Sequence, residues 1–264
     1  MVLENLYLEN LLLKTLRDIN IQMMRIYKNG DFSVSLKSDE SPVTRADFLS
    51  HDLITSALID TGIPILSEEG TTIHYNERKS WINYWLIDPL DGTREFINQN
   101  GNFTINIALM ENNQPVLGVI SVPVENKIYI GGSKLGYAKC VIGDNETFLK
   151  QNTTSSYQSL AKQKSIRIIA SKNNRNSKFD FFINKISIAH INRVGSAIKF
   201  MALVENKADL YPRFSPSMEW DTAAADAILR SLGYQIHEIS DTYQPTVPLS
   251  YNKENLYNPA FIAY

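Results

Sequence analysis

The residues best placed to do chemistry are carboxylates that emerge from apolar runs. Glu68 follows Ile63-Pro64-Ile65-Leu66-Ser67, and Asp88 follows Tyr84-Trp85-Leu86-Ile87. A carboxylate at the end of a buried strand is costly unless it is paired or holds a cation. Asp91 comes three residues after Asp88, across Pro89-Leu90. Pro89 has no N–H and fixes the turn, and Gly92 lets the backbone come close to a ligand. Such a turn can aim both carboxylates and the Leu90 carbonyl at neighbouring points. Donors that are all oxygen suit Mg²⁺ rather than zinc. Gly92-Thr93 then runs into Arg94-Glu95-Phe96-Ile97, a helix start whose free N–H groups would hold a phosphate. A cation-binding turn that leads into an anion-binding helix start is suited to phosphate ester hydrolysis.

Asp-Pro and Asp-Gly are also ordinary turn formers, so residues 88–93 alone would be matched by a structural turn. Glu68 adds a second acid at a strand end. Trp220-Asp221-Thr222-Ala223-Ala224 adds a third: an acid at a helix start, with small alanines behind it for close packing. Asp221 in isolation reads as a helix cap. The joint occurrence of the three elements is what favours a metal site. His51, His74, His190 and His237 are scattered without metal-ligand spacing and are expected at surface or structural positions.

These acids must be positioned by regular elements. Leu8, Leu12, Leu16, Ile19, Met23 and Ile26 recur at steps of three and four, which predicts an amphipathic helix ending near Gly30. Phe32–Leu36 alternates like a strand. Thr44-Arg45-Ala46-Asp47 resembles a capping box and predicts a second helix to about Asp60. Residues 71–80 read as a surface loop. Phe103–Met110, Val116–Ser121, Lys127–Gly131 and Gly136–Val141 predict an antiparallel meander. After the polar stretch Asn152-Thr153-Thr154-Ser155-Ser156, strands and helices alternate in an α/β rhythm. The expected organisation is an N-terminal α+β part over residues 1–155 that bears the metal-binding turn. A C-terminal α/β part over residues 156–264 joins it in one compact catalytic unit.

The chain has 264 residues, 44% of them hydrophobic and 20% charged, with a formal net charge of −2. That is enough for a sizeable core. No basic block points to nucleic acid or to a polybasic membrane patch. The single cysteine, Cys140, excludes an internal disulfide framework and reads as a small core residue. The charged residues among 1–28 argue against a signal peptide or a membrane span. A cytoplasmic protein is expected. Peripheral association with the inner face of the cell membrane stays open, as does the choice between monomer and homodimer. Neither GxxxxGK[ST] nor GxGxxG occurs, which weakens kinase-type readings.

Ser67-Glu68-Glu69, Asp88-Pro89-Leu90-Asp91-Gly92-Thr93 and Trp220-Asp221-Thr222-Ala223-Ala224 resemble the signatures of the inositol monophosphatase superfamily, in matching order and spacing. Within it the chain looks most like the CysQ-type 3′(2′),5′-bisphosphate nucleotidases. The stretches that carry this are residues 41–47, Asp91-Gly92-Thr93-Arg94-Glu95-Phe96, Gly195-Ser196-Ala197-Ile198-Lys199-Phe200, Leu210-Tyr211-Pro212-Arg213-Phe214 and Asn258-Pro259-Ala260-Phe261. The resemblance implies an α+β fold layered as an αβαβα sandwich. It implies two or three Mg²⁺ ions, sensitivity to Li⁺, and hydrolysis of 3′-phosphoadenosine 5′-phosphate to AMP in sulfate assimilation. Glu68, Asp88, Asp91, Asp221 and the Leu90 carbonyl would be metal ligands. Asp47, Glu68 and Thr93 would orient or deprotonate the attacking water. The Gly92 and Thr93 amides would hold the scissile phosphate, and Ser196, Lys199 and Arg213 would contact the nucleotide and its second phosphate. The expected mechanism is in-line attack by water, with one cation acidifying that water and a second at the leaving 3′-oxygen.

One stretch departs from the family pattern: Ala170-Ser171-Lys172-Asn173-Asn174-Arg175 stands where Ser-Arg-Ser-His is common in relatives. Two rival readings remain: a phosphatase of the same superfamily acting on inositol phosphate or another sugar phosphate, and a catalytically silent regulator that binds Mg²⁺ or nucleotide. Lys199 and Arg213 favour a bisphosphate over an inositol monophosphate, and the intact acid set argues against the silent regulator.

Overall fold

The computed structural model describes residues 2–153, 156–172 and 177–264. Helix α1 (Val2–Asn29) buries the whole stripe from Leu8 to Ile26 and ends at Gly30, which takes φ +73°. The alternating run after it shrinks to β1 (Ser35–Leu36), hairpinned to β2 (Pro42–Val43). Helix α2 (Arg45–Leu58) starts on the expected capping box. Thr44 Oγ1 accepts from Ala46 N at 3.1 Å, and Thr44 N donates to Asp47 Oδ2 at 2.8 Å. The box satisfies orphan amides and also locks the Asp47 rotamer.

Both helices pack on one face of a seven-stranded sheet. Strand β3 (Ile65–Ser67) runs parallel to β4 (Asn83–Asp91). Between them, where a loop was expected, lies α3 (Tyr75–Arg78). Arg78 is buried there and donates to Asn252 Oδ1 at 2.8 Å, a contact 174 residues away that local composition does not reveal. After β4 and the short α4 (Thr93–Ile97), the meander follows as β5 (Thr104–Glu111), β6 (Gln114–Val122), β7 (Lys127–Gly132) and β8 (Tyr137–Ile142). A further edge strand, β9 (Asn145–Phe148), extends the sheet beyond the expected meander, and all four of its residues are exposed.

Of the proposed boundary at residues 152–156, Thr154 and Ser155 lie outside the described residues. Beyond it come α5 (Tyr157–Ala161), β10 (Ile166–Ser171), α6 (Ser177–Ile183), β11 (Ile188–Val194) and α7 (Ile198–Val204). Next are β12 (Tyr211–Arg213), β13 (Ser217–Met218), α8 (Ala223–Ser231) and β14 (Ile236–Ile239). The chain continues through β15 (Pro245–Pro248), β16 (Tyr257–Asn258) and β17 (Phe261–Ala263). The α/β rhythm is only partly a parallel sheet. β10 and β11 are parallel, and an Ile168–Leu210 bridge carries the sheet to an antiparallel set ordered β12-β17-β14-β15.

Three apolar clusters fill the spaces between layers. One joins α1 and α2 to the first sheet, a second joins that sheet's other face to α7, α8 and the second sheet, and a third packs α5 and α6 on the far face. The order is αβαβα, as expected. The alanines after Asp221 serve close approach: a Cβ at Gly118 on β6 would collide with the Ala224 carbonyl of α8. No helix among the described residues is long and apolar enough to cross a membrane.

Candidate active site

Asp88 and Asp91 sit at the end of β4. Three residues apart on a regular strand, they would face opposite sides. The ladder to β5 slips between them, however: Asp88 pairs with Asn106 and Asp91 with Thr104. The extra residue is a bulge, and it turns both carboxylates to one side. Asp221 arrives from the 3₁₀ turn Glu219–Asp221 that precedes α8. Its Oδ2 accepts from Met218 N at 3.0 Å, so the carboxyl folds back over its own turn. Asp88, Asp91 and Asp221 each place a carboxylate oxygen within 4.8 Å of the others.

Three acids this close repel one another. Burial, then Glu68, Asp91 and Asp221, push the Asp88 carboxyl well above its ordinary range. Burial, followed by Asp91, pushes Asp221 up to about 7, against the opposing pull of Arg213. Asp88 Oδ1 accepts from Leu90 N at 3.1 Å, whereas its Oδ2 is buried without a partner. An orphaned buried carboxylate oxygen facing two more carboxylates, with no nitrogen or sulfur donor in the set, fits a hard divalent cation such as Mg²⁺.

Glu68 follows β3 and is anchored by its amide to Ile87 O at 3.1 Å. Burial raises its carboxyl, and Lys37 opposes that shift. Lys37 Nζ stands 2.7 Å from Glu68 Oε1 and 2.6 Å from Glu69 Oε1. The fourth acid is therefore tied to the β1–β2 hairpin while it still acts on Asp88. Lys37 gave no signal in the sequence, because nothing local says that a hairpin lysine crosses to residues 68 and 69.

Asp47 is almost fully buried and reaches the same site from α2. Its Oδ1 accepts from Thr93 Oγ1 at 3.1 Å, and Oδ2 accepts from Thr44 Oγ1 at 2.6 Å. Burial pushes its carboxyl up to about 6, against hydrogen bonds from Thr44 and Thr93. Thr93 Oγ1 also lies 3.3 Å from the Leu90 carbonyl. Gly92 takes φ +96°, and a Cβ there would stand 2.9 Å from Asn102 O, so the position requires glycine.

A cavity of about 270 Å³ opens beside the acids, and Asp91, Gly92, Ser196, Lys199 and Arg213 all line it. Lys199 is buried and donates to Ser196 O at 2.5 Å. Arg213 donates to Pro216 O at 2.8 Å. Burial lowers its guanidinium, but Tyr211 and Asp221 outweigh that and keep it firmly charged. Ser171 and Lys172 also face this cavity, whereas Asn173, Asn174 and Arg175 lie outside the described residues. A larger cavity, of about 670 Å³, lies between α1 and the turn at Pro123 and shares no residue with the acid set. Of the histidines, His51 bonds Ser67 Oγ at 2.9 Å and His237 bonds the Tyr264 hydroxyl at 2.8 Å.

The site is thus a five-acid corner joined to a cationic wall by one cavity. The chain is 33% identical over 256 residues to the 3′(2′),5′-bisphosphate nucleotidase CysQ of Escherichia coli O157:H7, covering 93% of this chain and 94% of that protein. The crystal structure of CysQ from Bacteroides thetaiotaomicron, described as a bacterial member of the inositol monophosphatase family, superposes with a TM-score of 0.73. It is 36% identical and covers 93% of this chain and 92% of that one. An IMPase of Thermotoga maritima shares the fold, with a TM-score of 0.68 at 21% identity over 95% of this chain and 89% of its own. The model of the inositol monophosphatase family matches residues 11–260, and the chain belongs to that family.

Proposed function

We propose that this protein is a Mg²⁺-dependent 3′(2′),5′-bisphosphate nucleotidase that hydrolyses the 3′-phosphate of 3′-phosphoadenosine 5′-phosphate, giving AMP and phosphate. The observation that carries the reading is the single cavity that joins Asp91 and Gly92 to Lys199 and Arg213. A monophosphate needs only the acid corner, whereas a bisphosphate also needs cations set apart from it. The CysQ relatives support the same substrate class, and removal of this by-product of sulfate assimilation is the cellular role that fits.

Asp88, Asp91, Asp221, Glu68 and the Leu90 carbonyl are the groups that would hold Mg²⁺, in two or three sites. Bound there, the cation supplies Lewis-acid polarisation of phosphoryl oxygens and offsets charge that develops during in-line displacement. The remaining work belongs to the chain. Asp47 accepts from Thr93 Oγ1, which leaves the threonine oxygen free to accept from a water at the site. As the water gives a proton to Thr93 Oγ1, the threonine passes its own to Asp47, whose buried carboxyl is raised from its ordinary range and so accepts it more readily. Glu68 shares the orientation of the water. The Gly92 and Thr93 amides meet the scissile phosphate, while Ser196, Lys199 and Arg213 hold the nucleotide through its 5′-phosphate.

The test is phosphate release from 3′-phosphoadenosine 5′-phosphate and from inositol 1-phosphate, measured side by side with Mg²⁺ and with Asp91→Asn as control. Strong preference for the nucleotide, lost in the variant, is the expected result. Preference for inositol 1-phosphate would keep the metal site and overturn the substrate. A folded protein that binds Mg²⁺ and hydrolyses neither would revive the silent regulator.

A further inference from the structure

The substrate cavity contains one acid outside the cluster of three. Glu95 of α4 lines it together with Gly195, Ser196 and Lys199. The loop before α7 comes very near this side chain: a Cβ at Gly195 would stand 3.0 Å from Glu95 Cγ and 2.8 Å from Asn102 O. Ser196 follows with φ +50°, a left-handed conformation that non-glycine residues seldom take. The backbone is therefore bent to bring Glu95 and the Ser196–Lys199 wall together.

Among the described residues the Glu95 carboxylate has no ion pair and no hydrogen bond. By contrast, Glu68, Glu69, Glu205 and Glu219 are each paired with a lysine. A half-buried carboxylate left free beside an anion-binding cavity repels the anion. That repulsion is offset only where the ligand brings a donor to it. A nucleoside bisphosphate carries two kinds: a ribose hydroxyl and the amino group of the base. Glu95 lies one helical turn from Gly92, whose carbonyl closes that turn by accepting from Phe96 N at 2.9 Å. Glu95 thus stands between the Gly92 end of the cavity, where the scissile phosphate binds, and the Ser196–Lys199 wall that holds the 5′-phosphate. The ribose bridges that span, and with its 3′-oxygen phosphorylated the donor it offers is the 2′-hydroxyl.

We propose that Glu95 is a specificity-determining residue that accepts a hydrogen bond from the ribose 2′-hydroxyl, and so selects 3′-phosphorylated ribonucleotides over their 2′-deoxy counterparts. The inference rests on the nucleotidase reading and adds the sugar to it. A site built to receive a hydroxyl discriminates against the analogue that lacks it, because its buried acceptor is then left unpaired.

The experiment compares kcat/KM for 3′-phosphoadenosine 5′-phosphate with that for 2′-deoxyadenosine 3′,5′-bisphosphate, both with Mg²⁺. The wild-type ratio is expected to be on the order of tenfold or more, the size of a hydrogen bond to a charged acceptor. Glu95→Ala should bring the ratio close to unity while keeping turnover of the deoxy substrate. Glu95→Gln, which retains an acceptor oxygen, should keep part of the preference, a pattern that a purely structural role would not give. Equal use of both substrates by the wild type, or a full ratio in Glu95→Ala, would overturn the role of Glu95 and leave the nucleotidase reading standing. Failure to hydrolyse either substrate, in protein that hydrolyses inositol 1-phosphate, would overturn both.

Discussion

Lys37 and Glu68 meet at 2.7 Å across 31 residues of sequence, which ties the β1–β2 hairpin to the acid corner. Lys37 also holds Glu69, so it partly neutralises the site when no cation is bound. Lys37→Met should lower the melting temperature in EDTA by a few degrees, the effect of about 1 kcal/mol in a chain this size. Saturating Mg²⁺ should restore more of that loss than it adds to the wild type. A variant that melts like wild type in EDTA would show that the hairpin is held by other contacts.

Asp91→Asn removes one of three mutually repelling carboxylates. Phosphate release should fall by roughly a hundredfold or more, beyond the usual cost of losing an outer-shell partner. Thermal stability without metal should stay level or rise, because burial of like charge is relieved. Calorimetric titration with Mg²⁺ checks the cause: binding must weaken in parallel with activity.

The metal-free protein should lose stability as pH rises from about 4 to about 7. Asp47 is held near 6 and Asp221 near 7, each against an ordinary 3.8. Between those values the folded state binds more protons than the unfolded one, so the slope of stability with pH is negative. The stabilisation is complete below the unfolded value and gone above the folded one. Denaturation in EDTA at pH 5 and pH 8 reads the sign, and Mg²⁺ should flatten the difference. A rising slope would mean that these carboxyls are not held up as described.

Asp47→Asn and Thr93→Val should each lower kcat by roughly a hundredfold or more with little change in KM, the range of general-base catalysis. Because Asp47 acts through Thr93 Oγ1, the double variant should lose little beyond either single one. Additive losses in the double-mutant cycle would separate the two residues into independent roles.

Gly118→Ala should destabilise the fold by about 1–3 kcal/mol, the usual cost of overpacking. The added methyl would collide with the Ala224 carbonyl, near the N-terminus of α8. Asp221 lies just before that helix, so Mg²⁺ affinity should fall as well. Chemical denaturation gives the first quantity and metal titration the second.

How far these features were legible follows from their range along the chain. The α1 stripe, the Thr44 capping box and the sequence 88–93 are local patterns, and local patterns can be read directly. The bulge between Asp88 and Asp91 could not be seen, because register belongs to the partner strand as much as to β4. Lys37, buried Arg78 and the placement of β17 depend on contacts across dozens of residues. Residues 71–80 read as a loop because their polar composition hides one arginine that turns inward. Glu95 was visible only as part of a helix start and of a resemblance, since a free carboxylate has no sequence signature of its own.

Strand β17 lies between β12 and β14, pairing Arg213 with Phe261 and Ile236 with Ala263. The strand that bears Arg213 is therefore complete only when Phe261–Ala263 slots in beside it. A bisphosphate site thus leans on a segment far along the chain from its acids, and a change that unseats Phe261 would loosen the cationic wall while β4 stays in its own sheet.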